Sequence, residues 1–355
     1  MSRRPRASGY FRTDYGQDLA LIQTRLEGVA LAVLAVTLVA LPALASPFLI
    51  DLATQTFLAI IGALALMLLT GYAGQVSLGH AGLLAAGAFT VGILAKELHA
   101  AFFLTLPAAA AVGALLGVVF GLPSLRVRGL YLAVSTLALH FVVVYLGGEY
   151  EAKRGFFTGI IIDAPRIAGK PLTDPRVWYV VLLLAAGGSL VLCANLLRAR
   201  SGRAWAAIRA NETVAEALGI GVSAYKLLAF VISSALTAFA GALFAYYRGF
   251  VSVETFSLFL TIQYVAMIII GGMGSLFGAI LGAIFVTLLP IVIRLMMEPL
   301  AGMFVTSGEL SSIVASARLV LFGCLIIFFL VVEPEGLIRL WRNIRNYFRV
   351  WPFSY

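Results

Sequence analysis

The sequence predicts an all-α integral membrane protein, a polytopic helical bundle of about ten transmembrane segments. Two observations of composition support this: the 355 residues are 62% hydrophobic and 12% charged, and their mean hydropathy is +1.03. A third is that the apolar residues form continuous runs of about 20 residues, the length that a helix needs to cross a bilayer. Only helices and closed barrels span lipid, and continuous apolar runs exclude the alternating pattern of a barrel.

The apolar runs follow one another along most of the chain. They cover about residues 28–45, 52–70, 76–95, 101–121, 129–147, 177–197, 226–247, 256–271, 275–297 and 313–332. The connections at 71–79 and 271–275 are short and rich in glycine, which weakens helices and indicates that some segments are broken or re-entrant. We expect a cytoplasmic tail at 1–27, a transmembrane permease domain at 28–333 and a second cytoplasmic tail at 334–355.

The distribution of positive charge predicts the orientation of the bundle. Arginines are concentrated before residue 28, in the connection at 198–225 and after residue 334. Basic connections stay in the cytoplasm, so an even number of crossings places both termini there. The connection at 148–176 has five basic and four acidic residues, and long connections translocate despite their charge. The net charge of +9 therefore reflects topology, and we expect no nucleic-acid partner.

Residues 198–225, called the polar segment below, separate two long apolar runs. Their sequence, RARSGRAWAAIRANETVAEALGIGVSAY, predicts a helix of about two turns that begins after the N-cap Asn211 and stops at Gly219. Spacing of four places two pairs of side chains on neighbouring faces: Glu212 with Glu216, and Val214 with Leu218. So short a helix is unstable alone in water and needs a surface to pack on. Spacing leaves open whether that surface is a soluble partner, the chain's own bundle or lipid headgroups.

Two of the apolar runs carry glycine at every fourth position. The rows are Gly113, Gly117 and Gly121, and Gly274, Gly278 and Gly282. A glycine face of this kind lets another backbone approach closely, so both rows predict tightly packed interfaces. The partner helix can belong to this chain or to a second subunit.

Polar side chains are rare in the apolar runs, where their burial is costly and each is a functional candidate. The densest group lies at 71–87, where five glycines accompany Gln75, Ser77 and His80. Backbone freed by a helix break is tolerated where it is buried in protein or lines a water-filled cavity, and a half-helix N-terminus can face a carboxylate. The candidate translocation-path residues are Gln75, Ser77, Gly79, His80, His140 and Gln263. Close packing of small residues around a satisfied histidine is the alternative.

Motifs for catalysis are missing from the sequence. It has no HExxH, no CxxC and no cluster of carboxylates within an apolar run, and its single Gly169-Lys170 pair lacks the earlier glycine of a P-loop. We therefore expect no enzyme activity, no cofactor and no metal site in this chain. A stand-alone secondary transporter or channel remains an alternative, although it predicts an inverted repeat and ion-coupling carboxylates that are not apparent.

Four stretches together resemble the permease subunits of branched-chain amino-acid ABC importers, the hydrophobic amino-acid uptake class. They are GYAGQVSLGHAGLLAAGAF at 71–89, RVRGLYLAVSTLAL at 126–139, SGRAWAAIRANETVAEALGIGVSAYKLLAF at 201–230 and GGMGSLFGAILGA at 271–283. The long basic N-terminus and the RVRGLYLA stretch are more similar to the M-type subunit than to its H-type partner. The resemblance covers about residues 50–335.

The resemblance implies a multi-component importer in the bacterial inner membrane. The chain is expected to pair with a homologous permease, to be driven by two cytoplasmic ATP-binding subunits and to receive substrate from an extracytoplasmic binding protein. The polar segment matches the family's ATPase-docking loop, which favours a soluble partner for its short helix. The residues expected to couple the chain to the ATPase are Arg203, Arg209, Asn211, Glu212, Val214, Glu216, Leu218 and Gly219.

A departure from the family pattern leaves the substrate open. Family members that take branched-chain amino acids tend to carry an acidic residue after the fifth run and then a Thr-Gly-Gly turn. Here the run carries His140, and the turn reads Thr158-Gly159-Ile160. Importers of urea, short amides or aromatic carboxylates are therefore alternatives to an importer of branched-chain or related small amino acids.

Overall fold

The computed structural model describes residues 25–125, 129–156, 159–167, 170–301, 307–332 and 335–350. Within these ranges the chain forms thirteen α-helices, and a short π-helix (Met67–Tyr72) continues the second of them. The helices are α1 (Arg25–Leu44), α2 (Pro47–Leu66), α3 (His80–Glu97), α4 (Phe102–Ser124), α5 (Leu130–Arg154), α6 (Pro175–Arg198), α7 (Arg200–Ala210), α8 (Glu212–Ala217), α9 (Val222–Arg248), α10 (Leu258–Gly271), α11 (Leu276–Ala301), α12 (Ser307–Val332) and α13 (Leu337–Val350).

Each apolar run of the sequence overlaps one of these helices. Among the described residues, six helices are long and apolar enough to cross a membrane: α2 with its π-helical extension, α4, α5, α6, α9 and α11. Shorter apolar stretches lie in α1, α10 and α12. The chain is therefore a polytopic all-α membrane protein, as the sequence predicts. A total of ten crossings requires that α1, α3, α10 and α12 also cross.

Helix α2 lies at the centre of the bundle. It is surrounded by α6, α9, α10 and α11. Its side chains from Ile61 to Leu66 are almost completely buried. A helix that is apolar on every side is stable in such a central position, because no face needs to meet water.

Helices α1 and α12 lie at the periphery. Apolar side chains are exposed along both helices, including Val29, Leu31, Val33, Leu34 and Val36 of α1 and Leu319, Val320, Leu321, Ile327, Phe328 and Val331 of α12. Exposed apolar surface of this extent is the expected surface of a helix in contact with lipid. Helix α1 contacts α6, where the Tyr179 hydroxyl donates to the carbonyl oxygen of Leu38 at 2.8 Å.

The two glycine-rich connections form tight turns that interrupt the helices. The turn between α2 and α3 contains Gly74, with φ +71°. The turn between α10 and α11 contains Gly272 and Gly274, with φ +111° and +88°. These backbone conformations are strained for residues with a Cβ, so glycine is required there.

The first glycine row lies on α4, at its crossing with α9. A Cβ added at Gly117 would lie 2.9 Å from the Cα of Val231, and one at Gly113 would overlap the carbonyl group of Ser234. Gly121 lies against Leu227 one turn further along. The row therefore faces a backbone of the same chain.

The second row is only partly helical. Gly278 and Gly282 lie on α11 and face α10, where a Cβ at Gly278 would lie 2.8 Å from the carbonyl oxygen of Gly271 and one at Gly282 would overlap that of Met267. Gly274 lies in the turn before α11. Its tight neighbour is a side chain of the polar segment, described below.

A third close crossing joins α3 and α9, although neither helix has glycine at every fourth position there. A Cβ at Gly87 would overlap the carbonyl oxygen of Ala238, and one at Gly241 would overlap that of Leu84. The approach uses a single glycine from each helix. A search for glycine at every fourth position therefore identifies only some of the sites where two helix backbones come into contact.

The end of the bundle opposite the polar segment carries two small antiparallel strand pairs. Strand β1 (Ile160–Ile161) pairs with β4 (Phe250–Val251), and β2 (Arg166–Ile167) pairs with β3 (Lys170–Pro171). Strands this short leave no alternating pattern in a sequence, and none was expected. A short 3-10 helix (Val253–Phe256) follows β4.

Candidate functional site: the polar segment and its contacts

The polar segment folds into two short helices, α7 and α8, that meet at Asn211. The Asn211 backbone is extended, and its side-chain oxygen accepts a hydrogen bond from the Val214 N–H at 3.1 Å. This is the N-cap that the sequence predicts. Helix α8 spans Glu212–Ala217, and Gly219 follows with φ +82°. The N–H groups of Gly219 and Ile220 then bond back to carbonyl groups of the helix, which is how helices often end at glycine.

The segment has its own small apolar cluster. Ile208, Ala215 and Val222 are buried against one another, apart from the main core. Trp205 is fully buried, and its indole N–H donates to the carbonyl oxygen of Tyr225 at 2.8 Å. These contacts hold α7 and α8 in a defined position beside the start of α9.

Helix α8 presents apolar side chains to the outside of the chain. Val214 is 53% exposed and Leu218 is 74% exposed, and Glu216 is exposed beside them. The buried side of the helix is represented by Ala215, at 1% exposure. The outward face therefore carries larger apolar side chains than the alanine with which the helix packs on its own chain.

The two glutamates of α8 have different surroundings. Glu212 forms an ion pair with Lys226 at the start of α9, with Nζ and Oε1 separated by 2.6 Å and both side chains largely buried. Glu216 points to the exposed side. The family resemblance implies that both glutamates couple the chain to an ATPase; in the structure Glu212 is paired within the chain, whereas Glu216 is exposed.

Arg209, near the end of α7, reaches both glycine-rich turns of the bundle. Its guanidinium donates to the carbonyl oxygen of Gly71, at the end of the π-helix. A Cβ added at Gly274 would lie 2.8 Å from Nη1, and one at Gly74 would lie 3.4 Å from Cγ. Because a helix C-terminus carries partial negative charge, the guanidinium is stabilised at the end of the π-helix that continues α2. We call these four residues, Arg209, Gly71, Gly74 and Gly274, the Arg209 junction.

Arg203, the other arginine expected in the site, makes a local contact. Its guanidinium donates to the carbonyl oxygen of Arg198 at 3.0 Å, and its side chain is otherwise exposed. It supports the turn from α6 into α7 without touching the bundle turns.

Gln75 joins the first glycine-rich turn to the polar segment. The side-chain amide of Gln75 donates to the backbone carbonyl oxygen of Lys226 at 3.0 Å. The backbone carbonyl oxygen of Gln75 accepts a hydrogen bond from the Thr70 hydroxyl at 3.0 Å. Lys226 is also the ion-pair partner of Glu212. Lys226 therefore connects the first glycine-rich turn and helix α8 to the start of α9.

Hydroxyl groups occupy the N-terminus of α3. The Leu78 N–H bonds to Thr136 of α5 at 2.9 Å, and the Ala81 N–H bonds to Thr261 of α10 at 3.0 Å. Ser77 accepts from the Gly79 N–H at 3.4 Å. The sequence predicted that this N-terminus could face a substrate carboxylate; in the structure these three donors bond to the chain itself.

Most of the candidate path residues are buried in the bundle. Exposure is 4% for Gln75, 2% for Ser77, 1% for His80 and 2% for His140; Gly79 is buried and Gln263 is half-buried. The His80 ring lies 4.6 Å from that of Tyr264, centroid to centroid, and its Nδ1 lies 3.5 Å from the Thr237 hydroxyl. Contact with a substrate at the four most buried side chains therefore requires movement of the surrounding helices.

A cavity of about 440 Å³ lies at the opposite end of the bundle. Its lining includes Asp51, Trp178, Tyr246, Tyr247 and Arg248. The Asp51 carboxylate accepts hydrogen bonds from the Tyr247 hydroxyl and from the Gln55 amide. The Asp51–Tyr247 contact joins residues 196 positions apart, which spacing along the chain does not reveal.

The described residues form a polytopic helical bundle with an outward-facing polar segment at one end, which is the class of an integral membrane protein that presents a surface outside the bilayer. Comparison with known families gives the same class. The family described as branched-chain amino acid transport system / permease component matches residues 48–330. The chain therefore belongs to this family of transport permeases, and the resemblance seen in its sequence is confirmed.

Individual relatives agree with the family assignment. The high-affinity branched-chain amino acid transport system permease protein LivM of Escherichia coli (strain K12) is 34% identical over 349 residues, covering 92% of this chain and 77% of the relative. LivM of Salmonella typhimurium is 33% identical over the same length and coverage. The autoinducer 2 import system permease protein LsrC of Klebsiella pneumoniae is 33% identical over 200 residues, covering 53% of this chain and 55% of the relative. No solved structure gives a significant match.

Proposed function

We propose that the chain is the permease subunit of an ABC importer for branched-chain or related small amino acids, with its polar segment docked on a cytoplasmic ATP-binding subunit. Family membership supports the transport class. Similarity to the LivM proteins, which are named for high-affinity branched-chain amino acid transport, supports the substrate class. The complete importer would contain a homologous permease, two ATP-binding subunits and an extracytoplasmic binding protein, with ten crossings and both termini of this chain in the cytoplasm.

The observation that carries the docking proposal is the exposed apolar face of α8. Val214 lies on a helix of six residues, and Leu218 is the C-cap residue that follows it. The position of this helix is already set by Asn211, the Glu212–Lys226 ion pair and the Ala215 cluster. A prepositioned helix loses little conformational entropy when a groove covers it. Burial of two apolar side chains at the centre of such a contact contributes on the order of 1–3 kcal/mol for each. Glu216 is exposed beside them to meet a basic group or backbone donors.

The Arg209 junction provides a route from the docked helix into the bundle. Helix α8 follows α7 directly, and α7 carries Arg209 onto the turn of each of two helix pairs, α2–α3 and α10–α11. A displacement of α8 by an ATP-binding subunit would therefore reach both turns through one side chain. In this proposal the turns open, and the candidate path residues come into contact with the substrate.

Dipoles of the protein, rather than fixed charges, would compensate the charged amino and carboxylate groups of an amino acid on this path. Isolated charges in hydrocarbon cost several kcal/mol or more. The candidate path offers an amide at Gln75, a hydroxyl at Ser77 and imidazoles at His80 and His140. Weak compensation of this kind suits an importer, since a tight site would slow release.

The docking proposal is tested by placing charge on the exposed face of α8. In the complete importer, Val214→Asp with Leu218→Asp should abolish co-purification of the ATP-binding subunits or uncouple ATP hydrolysis from uptake, while the chain stays folded and inserted. Ser223→Asp, an exposed position at the start of α9, is the matched control and should retain coupled uptake. Normal uptake by the double variant would remove the docking assignment, and transport by the isolated chain would favour a stand-alone transporter.

The substrate is tested in the same reconstituted importer. Radiolabelled leucine, isoleucine and valine should be taken up with ATP, and unlabelled forms should compete with one another. Uptake of urea, a short amide or an aromatic carboxylate, with no competition by leucine, would replace the amino acid assignment while leaving the permease class intact.

A further inference from the structure

We infer that α13 is an interfacial helix: it lies in the headgroup layer at the polar-segment end of the bundle, with its apolar face against acyl chains and its arginines on anionic phospholipids. The sequence assigned these residues to a cytoplasmic tail. The inference concerns a lipid contact and does not depend on the transported substrate or on the docking of α8.

The sequence of α13, LIRLWRNIRNYFRV, separates apolar and basic residues at helical spacing. Arginine recurs every three or four residues, at 339, 342, 345 and 349. Five apolar residues recur with the same spacing on the other side of the helix, at 337, 340, 341, 344 and 348, whereas Ile338 and Val350 lie outside this strip. Arginine on one face with tryptophan, phenylalanine and leucine on the other is the composition of helices that lie flat in the membrane interface.

The first turn of α13 is seated on the turn between α10 and α11. Gly336, with φ +66°, approaches so closely that an added Cβ would lie 2.6 Å from the Gly272 nitrogen. Ile338 is buried beside it, at 8% exposure. Arg342 pairs with Glu335 at 3.1 Å, which ties the helix to the residues that precede it. The start of α13 is therefore held at the end of the bundle and cannot extend away from the membrane as a free tail.

The helix before α13 places this start at the level of the lipid surface. Helix α12 exposes apolar side chains almost to its last residue, with Val331 at 76% exposure. Such a surface is stable in lipid and costly in water. Since α12 ends at Val332 and α13 begins at Leu337, the start of α13 lies near the level where the hydrocarbon meets the headgroups.

The apolar face of α13 has only partial cover from the protein. Leu340 is 49% exposed, Trp341 46% and Ile344 52%. The Trp341 ring lies 5.4 Å from the ring of Phe277 at the start of α11, and Phe277 is itself 40% exposed. The exposed strip is therefore continuous with the side of a membrane-spanning helix. Acyl chains adjoin this strip, and anionic headgroups complement the charge of the neighbouring arginines.

Spin labels on adjacent residues test the placement. In the complete importer, with Cys193→Ala and Cys324→Ala as background, a nitroxide is attached to Ile344→Cys or to its exposed neighbour Asn343→Cys. Nanodiscs are made of phosphatidylcholine, with or without phosphatidylglycerol. Collision rates are measured with oxygen, which concentrates in lipid, and with a water-soluble nickel chelate. Leu340→Cys serves as a second apolar-face position if Ile344→Cys lowers the yield of folded protein.

We expect the Ile344 label to favour oxygen over the nickel chelate several-fold more than the Asn343 label does. Phosphatidylglycerol should increase this difference, and Arg339→Gln with Arg342→Gln should remove the increase. Equal access of the chelate to both labels would overturn the interfacial placement. A label shielded from both reagents only when the ATP-binding subunits are bound would assign the face to a protein partner. No response to phosphatidylglycerol would overturn the anionic-lipid contact.

Discussion

The glycine crossings inside the bundle and the exposed face of α8 use opposite kinds of contact. At the crossings, Gly87, Gly117 and Gly282 bring backbones so close that no side chain fits between them. On α8, Val214 and Leu218 are large side chains with much of their surface uncovered. Contacts of the first kind have one tight partner and tolerate no added volume. Contacts of the second kind are incomplete in the isolated chain, which is what a docking surface for another protein requires.

This comparison predicts that changes in the two regions fail in different ways. Volume added at a crossing should reduce folding and assembly of the chain itself. Polar substitutions on the exposed face of α8 should leave the chain folded and reduce only the assembly or ATP-driven uptake of the complete importer. The Arg209 junction lies between the two regions, because one side chain of the polar segment contacts turns of the bundle.

The largest effect is expected at the α10–α11 crossing. Gly282→Leu would force a side chain into the carbonyl group of Met267. The two helices must separate, at a cost of at least the roughly 1–3 kcal/mol typical of overpacking. The yield of monodisperse chain in mild detergent and its apparent melting temperature should both fall. Ala32→Leu, on the exposed surface of α1, should leave both unchanged; equal loss at the two positions would mean that the crossing is no tighter than the lipid surface.

An intermediate effect is expected at Arg209. Replacing it by alanine removes a charge-assisted hydrogen bond to Gly71 worth about 1.5–3 kcal/mol. The docking face on α8 stays intact, so the ATP-binding subunits should still co-purify, whereas ATP-driven uptake should fall about ten-fold or more at roughly 1.4 kcal/mol for each factor of ten. Arg209→Lys keeps the charge but loses the planar fork, and should recover only part of the uptake. If the Arg209→Ala importer takes up substrate as fast as the unchanged importer, the Arg209 junction has no role in transport.

The smallest effect is expected from single substitutions along the candidate path. Cysteines placed at 75, 77 and 80 should be protected from small water-soluble thiol reagents in the resting importer, because these positions are 4%, 2% and 1% exposed. At least one should become reactive during ATP turnover, and His80→Leu should lower uptake modestly with assembly unchanged. If all three remain protected in every state and His80→Leu mainly lowers the melting temperature, the group serves helix packing.

Local features of the fold could be predicted from the sequence because they are set by neighbouring residues. The apolar runs, the interrupting turns with Gly74 and Gly274, and the N-cap at Asn211 all depend on spacing of a few positions. The class of the protein followed from four recognisable stretches. The existence of α13 as a helix was missed, because its arginines were interpreted only as a marker of orientation.

Contacts between distant parts of the chain could not be predicted in the same way. Arg209 and Gly71 are 138 positions apart, and Gln75 and Lys226 are 151 apart. No local pattern states that an arginine of the polar segment will reach the end of the π-helix. Similarly, the low exposure of His80 and His140 is a result of how α3, α5, α9 and α10 pack together, which spacing within one helix does not reveal.

The Arg209 junction has a thermodynamic consequence for regulation. Suppose that the two turns have alternative arrangements and that the partner docked on α8 binds one arrangement more tightly. Substrate binding must then change the affinity for the partner by the same factor by which partner binding changes the affinity for the substrate. A substrate that favours the open turns would thereby strengthen or weaken the hold of the ATP-binding subunits on α8. Because a single guanidinium spans both turns, this reciprocity would act on the α2–α3 and α10–α11 pairs together, as one switch.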